Sequence, residues 1–353
     1  MTDHLVCDRI IKNDFKVFVM DKKLKVANIG MKFGMSHVEG AMSYDADIVA
    51  ICDCDEENLR FAGERYSIPE EKRFADYTDL LDKDIDIVTV AIPDQQHKKV
   101  SCDFLRAGKN VLCEKPLALT REDLEEIIKA ADESDAQFMV GQICRFTPAF
   151  EKAKELVESG TIGEVYFIES EYAHDYMKLV DNWRSDPLRH GVIGGGCHAV
   201  DLIRWIVGDP VEVFAYGTHK LLPTVAYDDA TIAIMKFNDN LMGKVFVSTG
   251  CKRDYTMRTC IYGTKGTIIC DNTSPTMTLF TTDDEGVVKE PQIIDVQVNN
   301  HNAAKEFEVF ADAILNKKIV LTDAREGAKT VEVCLSIVES SKTGKPVKPD
   351  YDF

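Results

Sequence analysis

Several classes of protein are excluded by what the sequence lacks. No apolar run approaches the ~20 residues that a helix needs to span a bilayer. The N-terminal stretch mixes charged with apolar side chains, which is not the pattern of a signal peptide. Lys and Arg number 42 against 60 Asp and Glu, which gives a formal net charge of −18. A chain this acidic offers no basic face for nucleic acid, so we expect neither nucleic acid nor membrane as a partner.

Metal-binding cysteine patterns are also missing. The eleven cysteines are odd in number and scattered, and no C-x-x-C pair is present, which argues against a zinc site or a thiol redox site. Cys52 and Cys54 form the tightest pair and end an apolar run, where a thiol acts as a small buried hydrophobe. We therefore predict no metal, and reduced thiols in the cytoplasm.

The length of 353 residues predicts two domains, because a single core stops growing near ~250–300 residues. From residue 24, short apolar runs alternate with amphipathic stretches. We predict strands at 24–30, 47–53, 85–93, 110–116 and 136–144, and helices at 35–43, 56–66, 95–107 and from Thr120 onward. Apolar strands that alternate with helices indicate a covered parallel sheet. Residues 24–145 are thus predicted to form a Rossmann-like dinucleotide-binding domain.

The second half, residues 146–353, has a different pattern. Strand-like runs are predicted at 165–173, 214–222, 231–237, 243–250, 258–263 and 267–271, and helices at 147–159, 199–207, 303–315 and 324–340. This pattern is typical of an α+β domain with an open, mostly antiparallel sheet. One face of that sheet is expected to carry helices, and the other to pack on another subunit in a homodimer or homotetramer. Residues 1–23 are assigned to an N-terminal arm, and the alternative is an extra strand at 16–20.

A glycine-containing turn follows the first predicted strand, at Gly30-Met31-Lys32-Phe33-Gly34. The usual dinucleotide fingerprint is G-x-G-x-x-G, in which the backbone approaches a pyrophosphate at a helix N-terminus. Here Lys32 replaces the second glycine and the loop is one residue shorter, so a turn without a ligand would look similar. We predict that Gly30, Lys32, Phe33 and Gly34 contact the cofactor.

Asp53 ends the second predicted strand, 23 residues after Gly30. A carboxylate there accepts hydrogen bonds from the ribose hydroxyls of NAD and repels the 2′-phosphate of NADP, so we predict NAD as the cofactor. The alternative is a helix N-cap, but Asp55 serves that purpose equally well. Pro93 and His97 follow a later strand at the same edge, where His97 either lines the nicotinamide pocket or caps the local turn.

Six segments carry a family resemblance through their order along the chain. They are VTVAIPDQQH (88–97), AGKNVLCEKPLALT (107–120), GTIGEV (160–165), NWRSDP (182–187), GGGCHAVDLIRWIVG (194–208) and GTKGTI (263–268). From Leu24 onward, the chain resembles the family of glucose–fructose oxidoreductase, inositol dehydrogenase and MocA. The resemblance implies a Rossmann-like domain, a second domain with an open sheet, and oxidation or reduction of a carbinol, usually on a sugar or cyclitol.

The resemblance also implies roles for Glu114 and Lys115 as cofactor contacts, and for Lys115 and His198 as catalytic residues. A lysine desolvated beside oxidised nicotinamide would have a lowered pKa, and would accept the hydroxyl proton or donate to the reacting oxygen. Spacing alone favours a surface lysine paired with Glu114. His198 begins an apolar helix whose dipole disfavours the imidazolium, so a neutral ring would share the proton. The alternative is a capping or core histidine.

The predicted substrate contacts surround these two residues. They are Lys115, Tyr172, Trp183, Arg184, Asp186, His198 and Asp201. Trp183 and Arg184 suit a polyol, as an aromatic wall and a donor for hydroxyls, although both would also suit a subunit interface. Asp201 is expected either to orient His198 or to contact the substrate.

One departure from the family pattern affects the acid–base chemistry. The family often reads D-x-G-x-H where this chain has GGGCH, so Gly194 stands in place of the aspartate. Any role of that carboxylate must be absent or pass to another group, such as Asp186, His190 or Tyr172. The glycine also indicates a roomier floor for the substrate pocket.

These observations predict an oxidoreductase that transfers a hydride between NAD and a ring-hydroxyl carbon of a sugar, glycoside or cyclitol. The most specific version of this prediction is oxidation at C3 of a glucopyranoside. The alternatives are an inositol dehydrogenase, a glycosidase or lyase that retains NAD and works by transient oxidation, and a non-enzymatic nucleotide-binding sensor. Retention of Lys115 argues against the sensor.

Overall fold

The computed structural model describes residues 23–180 and 182–353, so the predicted arm lies outside the described residues except for Lys23. The first sheet contains β1 (Lys25–Ile29), β2 (Asp47–Cys52), β3 (Arg73–Phe74), β4 (Ile87–Val90), β5 (Asn110–Glu114) and β6 (Phe138–Gly141). Its strands are parallel and follow the order β3-β2-β1-β4-β5-β6. This is the doubly wound order of a Rossmann domain, and the predicted fold of the first domain is confirmed.

Helices cover both faces of this sheet. They are α1 (Met31–Ser43), α2 (Glu56–Arg65), α3 (His97–Arg106) and α4 (Arg121–Asp132). The start of α4 follows from its cap, because the hydroxyl of Thr120 accepts from the backbone N–H of Asp123 at 3.2 Å. Adjacent strand residues point to opposite faces: Val26 packs with α1, whereas Ala27 lies in the core beneath α3 and α4.

The first helix begins four residues earlier than the sequence predicts. Gly30 has φ 89°, and the chain turns there directly into α1 at Met31. A Cβ at Gly30 would overlap the carbonyl oxygen of Ala91 and lie 2.7 Å from its carbon. Only glycine combines this positive φ with so close a backbone approach. The segment predicted as a glycine loop is therefore mostly the first turn of a helix.

The second sheet contains eight strands in the order β14-β13-β12-β11-β7-β10-β9-β8. They are β7 (Val165–Ala173), β8 (Glu212–Thr218), β9 (Ala230–Asn238), β10 (Leu241–Ser248), β11 (Thr256–Gly263), β12 (Gly266–Asp271), β13 (Thr276–Thr281) and β14 (Gln292–Asp295). All pairs are antiparallel except β7 with β10, which confirms the predicted mostly antiparallel sheet. The prediction omitted β13 and β14, which lie at one edge, and the two-residue β3.

Four more helices complete the described chain: α5 (Pro148–Glu158), α6 (Cys197–Val207), α7 (Ala303–Asn316) and α8 (Ala324–Thr343). The third of them departs from the predicted domain division. Phe307 and Phe310 of α7 are fully buried in one core with Val26 and Leu112 of the first sheet. Although 303–316 was predicted to belong to the second domain, α7 covers the Rossmann sheet, because its aromatic face has its apolar partners there.

Among the described residues, none covers the outer face of the second sheet. Side chains along β9 alternate between buried and exposed, and Ile232 and Ile234 are 41% and 56% exposed. Met242 on β10 and Tyr216 on β8 extend this apolar surface. Within the described ranges, no helix has the length and apolar character needed to cross a membrane.

Candidate functional site

A cleft lies at the carboxyl-terminal ends of β1, β4 and β5, where the strand order of the first sheet reverses. It consists of a cofactor groove of about 620 Å³ and a substrate pocket of about 280 Å³. The groove is lined by residues that include Gly30, Lys32, Asp53, Tyr77 and Pro93, and the pocket by residues that include Lys115, Tyr172, Arg184, Arg189, His198 and His301. Both are lined by Phe33, Ala91, Ile92 and Trp183, so the two cavities adjoin. Ligands of open parallel sheets bind at this edge.

The start of α1 fits the phosphates of a dinucleotide. Gly30 precedes the helix and has no side chain to cap it, while Lys32 and Phe33 are exposed and line the groove. The N–H groups of a first helical turn and the Lys32 ammonium together suit a pyrophosphate. Gly34, which was also predicted to contact the cofactor, is not among the residues that line the groove. Its N–H donates to the carbonyl oxygen of Gly30 at 2.9 Å, and the residue packs beside Ala91.

Asp53 lines the groove close to the same helix end. Its Oδ2 accepts from the N–H of Met31 at 2.6 Å, and its Oδ1 accepts from the N–H of Asp55 at 2.9 Å. Asp55 in turn caps α2 through the N–H groups of Glu57 and Asn58, as the sequence indicates. Each carboxylate oxygen of Asp53 keeps a second lone pair, which suits a ribose hydroxyl.

His97 joins the ends of two strands. Its ring is fully buried, with Nδ1 2.8 Å from the carbonyl oxygen of Pro116 and Nε2 3.0 Å from that of Ile92. These contacts hold the segment after β5 against the segment after β4. The residue also lines the substrate pocket, and its contact with the nicotinamide stays a prediction.

Lys115 follows the last residue of β5 and lines the substrate pocket. The preceding residue, Glu114, turns towards α1, where its Oε1 accepts from Nε2 of His37 at 2.9 Å. His37 is 1% exposed. Although burial raises the pKa of Glu114, the hydrogen bond and charge of His37, together with Lys115, lower it to about 2. A partly buried carboxylate is thus held charged directly beside Lys115.

The charge state of Lys115 differs from the sequence prediction. Burial lowers its pKa, as expected, but the neighbouring Cys197, Glu114, Tyr176 and Asp94 outweigh burial and raise it above the ordinary value. The side chain is therefore an ammonium at neutral pH. Without cofactor, Lys115 is a hydrogen-bond donor and a positive charge in the pocket rather than a ready base.

His198 lies in the first turn of α6, but not at an open helix end. A π-helical turn at Val192–Gly196 runs directly into α6, so the predicted dipole effect is not the reason for a neutral ring. Burial and the charge of Lys115 lower the pKa of His198 well below its ordinary value. Its Nδ1 lies 3.3 Å from Sγ of Cys144, and its ring stacks on Tyr172 with centroids 6.1 Å apart.

An aromatic wall extends from β7 and faces His198. The hydroxyl of Tyr172 lies 2.8 Å from that of Tyr176 and 3.2 Å from Nδ1 of His174. Tyr255 and His301 complete this wall of the pocket. Tyr172 was predicted as a substrate contact, whereas the other four were not.

Trp183 and Arg184 lie where the groove and the pocket meet. The guanidinium carbon of Arg184 lies 4.2 Å from the centroid of the Trp183 ring and 4.8 Å from that of Phe33. Phe33 and Trp183 contact each other edge to face, with centroids 6.5 Å apart. Both predicted residues therefore line the cleft, and they link α1 to the second domain.

The predicted roomy floor at Gly194 is wrong. A Cβ there would overlap Nη1 of Arg189 and lie 2.6 Å from its Cζ, so a guanidinium fills this space. The next two glycines are equally crowded. A Cβ at Gly195 would lie 2.6 Å from the Tyr172 ring, and one at Gly196 2.5 Å from Val247.

Three of the predicted polar residues lie outside the pocket lining. Asp201 is 1% exposed and binds Arg145 through both carboxylate oxygens at 2.7 and 2.8 Å, so it neither orients His198 nor reaches a substrate. Asp186 accepts from Gln95 and from the N–H of Leu188, which caps a short turn.

His190 is the third of these residues. Its Nδ1 accepts from the N–H of Val192 at 3.2 Å, and its Nε2 lies 3.6 Å from Asp228. Burial lowers the pKa of His190 to about 4. Of the three groups considered as replacements for the missing carboxylate, only Tyr172 lines the pocket.

Comparison with known proteins agrees with this arrangement. Residues 24–142 match the model of the oxidoreductase family with an NAD-binding Rossmann fold, and residues 150–269 match the GFO/IDH/MocA C-terminal domain. The chain belongs to the Gfo/Idh/MocA oxidoreductase family. The family predicted from the sequence, an NAD-binding Rossmann domain and an oxidoreductase activity are therefore confirmed.

Other members of the Gfo/Idh/MocA family are similar over most of the chain. The myo-inositol 2-dehydrogenase of Thermotoga maritima is 30% identical over 74% of this chain and 79% of its own. An uncharacterized oxidoreductase of Bacillus subtilis, YrbE, is 26% identical over 94% of this chain and 98% of its own. A levoglucosan dehydrogenase in complex with NADH shares the fold, with TM-score 0.83 and 21% identity over 93% of this chain and all of its own.

A second carboxyl group lies behind the pocket of this Gfo/Idh/MocA enzyme. Glu306 of α7 is fully buried, with Oε1 near Gly141 at the end of β6. Among the residues that the structure describes, neither of its oxygens has a hydrogen-bond partner, and Nδ1 of His37 has none either. Burial, opposed by His37 and reinforced by Glu114, raises the pKa of Glu306 to about 8. Glu306 is therefore protonated at neutral pH, and Glu114 carries the negative charge.

Some pocket residues that were not predicted follow a recognisable sequence pattern, and others do not. Tyr172, His174 and Tyr176 alternate along one extended segment, and this period of two indicates a common face. Arg189, Tyr255 and His301 belong to loops and a strand end that lie far apart in the chain, and no local pattern indicates them.

The buried Glu306 predicts an unusual pH dependence of stability. Because its folded pKa of about 8 exceeds the ordinary 4.5, the folded state is disfavoured progressively as pH rises from 4.5 to 8. Each pKa unit corresponds to about 1.4 kcal/mol. We expect Glu306→Gln, which does not titrate, to gain stability over the wild type across that interval and to match it at pH 4.5.

Chemical denaturation at a series of pH values measures this difference. Glu308→Gln is the matched control, because Glu308 lies on the same helix but is exposed. A stability difference for Glu306→Gln that is constant with pH would contradict the assignment of a protonated carboxyl group.

Proposed function

We propose that this enzyme is an NAD-dependent dehydrogenase that oxidises a ring hydroxyl of a sugar, glycoside or cyclitol. The observation that carries this proposal is the pairing of a charged Lys115 with a neutral His198 in one pocket that adjoins the cofactor groove. The relative named myo-inositol 2-dehydrogenase supports the substrate class.

The two residues divide the proton chemistry between them. Bound cofactor supplies the hydride acceptor. The Lys115 ammonium donates to the substrate oxygen and stabilises the negative charge that develops there. His198 accepts the hydroxyl proton at Nε2, which requires the tautomer whose Nδ1–H donates to Sγ of Cys144. Its lowered pKa keeps the ring neutral and able to accept a proton.

The remaining pocket residues hold the ring and exclude water. Trp183 offers a flat apolar surface, and the hydroxyls of Tyr172 and Tyr176 offer donors and acceptors for substrate hydroxyls. His97 and Glu114 fix the backbone around Lys115 through their contacts with Pro116 and His37.

The preference for NAD over NADP is part of the proposal. Asp53, Asp55 and Asp76 line the end of the groove beyond Gly30. Three carboxylates would repel a 2′-phosphate, whereas Asp53 suits two ribose hydroxyls. A cytoplasmic location also remains part of the proposal, since every described cysteine is a free thiol.

Oxidation at C3 of a glucopyranoside is the most specific form of the proposal, and its support has weakened. It depended on a roomy floor at Gly194, which Arg189 fills. Inositol oxidation is the main alternative, and the relative from Thermotoga maritima supports it. A panel of inositols, free sugars and glucosides distinguishes the two.

Lys115→Ala tests the proton chemistry. We expect kcat for NADH formation to fall by about 10²–10⁴-fold, with cofactor binding largely retained, because the ammonium acts on the substrate oxygen. NADH absorbance across the substrate panel measures the loss. Lys109→Ala, at the other end of β5, is the control. Undiminished turnover in the Lys115 variant would refute the mechanism.

Asp53→Asn tests the cofactor preference. This change removes the charge but keeps an acceptor for the N–H of Met31. We expect the ratio of kcat/KM for NADP to that for NAD to rise at least about tenfold, which corresponds to about 1.4 kcal/mol. Asp47→Asn, at the opposite end of β2, serves as the control. Equal ratios in the two variants would contradict the proposed role.

The proposed enzyme is a homodimer or homotetramer assembled through the outer face of the second sheet. Ile232, Ile234, Tyr216 and Met242 form an exposed apolar surface there, and such surfaces mark interfaces. We expect Ile234→Asp to reduce the molar mass in solution, measured by light scattering. Ile319→Asp, at a residue 91% exposed in a loop, should leave the mass unchanged. A monomeric wild type would contradict this arrangement.

A further inference from the structure

A positively charged side chain forms part of the substrate pocket floor. The guanidinium of Arg189 occupies the volume that any side chain at Gly194 would need. Arg189 is 4% exposed, yet it lines the pocket together with Lys115 and His198. Because a Cβ at residue 194 would displace the guanidinium, the glycine and the arginine depend on each other.

The guanidinium is held on several sides but not fully satisfied. Its Nε donates to Oδ2 of Asp94 at 2.7 Å, and its Nη2 donates to the carbonyl of Gly194 at 3.3 Å. The Trp183 ring covers one face, with its centroid 4.7 Å from Cζ. Within the described chain, Nη1 is buried and has no hydrogen-bond partner. A buried donor of this kind is costly unless an acceptor reaches it. Arg189 lines the adjoining pocket, and a ligand there would supply an acceptor after a small turn of the guanidinium away from Gly194.

The two carboxylates that line the pocket already form hydrogen bonds with other side chains. Asp94 binds Arg189, and Glu114 accepts from His37, whose pKa is raised by that contact despite its burial. The pocket histidine His198 is kept neutral by burial and by Lys115. A bound sugar therefore meets the charges of Lys115, Arg184 and Arg189, while both carboxylates that line the described pocket face other groups.

We infer that the substrate carries a carboxylate which Arg189 binds, so that it is a uronic acid or a glycoside of one. This inference rests on the proposed dehydrogenase function of the same pocket. A carboxylate matches the planar donors of a guanidinium and gives Nη1 its acceptor. It also balances the positive charge, which a neutral sugar hydroxyl does not. Lys115 then remains for the hydroxyl that reacts.

Matched pairs of compounds test the inference. Glucuronate with glucose, galacturonate with galactose, and the methyl glycosides of each differ only in the carboxylate. We expect kcat/KM for NADH formation to favour the carboxylate member by at least tenfold in at least one pair. Calorimetric titration of the NADH-loaded protein should show the same preference in Kd. Arg189→Gln should reduce both ratios at least tenfold, and Arg189→Lys should restore part of the preference.

Arg325→Gln is the matched control, because this arginine on α8 is half-exposed and pairs with Asp132 outside the pocket; both ratios should stay at their wild-type values. The inference is overturned if the neutral member of every pair binds as tightly as its partner, or if Arg189→Gln weakens both members equally. Carboxylate binding that depends on Arg189 without any NADH formation would refute the proposed dehydrogenase and leave the anion site standing. Turnover of neutral sugars alone would support the proposed dehydrogenase and refute the carboxylate site at Arg189.

Discussion

The hydrogen bond between His37 and Glu114 is the contact on which the rest of the site depends. It joins α1, whose first turn faces the cofactor groove, to the end of β5, where the chain continues into Lys115. Both partners are largely removed from water, and loss of one partner of such a pair costs about 3–5 kcal/mol. The distance between α1 and Lys115 is thereby fixed by a largely buried ionic contact rather than by loops.

The charges around this contact are arranged in opposing pairs. Glu114 keeps Lys115 charged, and Lys115 in turn keeps His198 neutral. Glu306 takes up a proton chiefly because it is fully buried, and the negative charge of the nearby Glu114 adds to that effect. A donor and a proton acceptor thus coexist in one pocket, because burial strengthens each electrostatic influence on its neighbours. The same principle holds Arg189 beside Asp94 at the pocket floor.

The pocket is built by both domains, which accounts for the position of α7. This helix returns to the Rossmann sheet after the second sheet is complete, and Phe307 and Phe310 anchor it there. Its first turn delivers Glu306 behind His37, and the residue before its cap, His301, lines the pocket. The chain therefore returns to the first domain after the second sheet is complete, and residues distant in sequence meet at Lys115.

The sequence by itself determined the two-domain architecture, the family and the position of Lys115, because these depend on local patterns. Strand periodicity, the Thr120 cap and the ordered motifs are properties of neighbouring residues. Tertiary structure alone decided the identity of the pocket floor and the charges within it. In the sequence, the three glycines from Gly194 indicate open space at the pocket floor. In the folded protein, a side chain packs against each of them and leaves no room for a Cβ. The pKa of Lys115 likewise depends on burial and on Cys197, Tyr176 and Asp94, which only folding brings close to it and to its neighbour Glu114, so it could not be inferred from spacing.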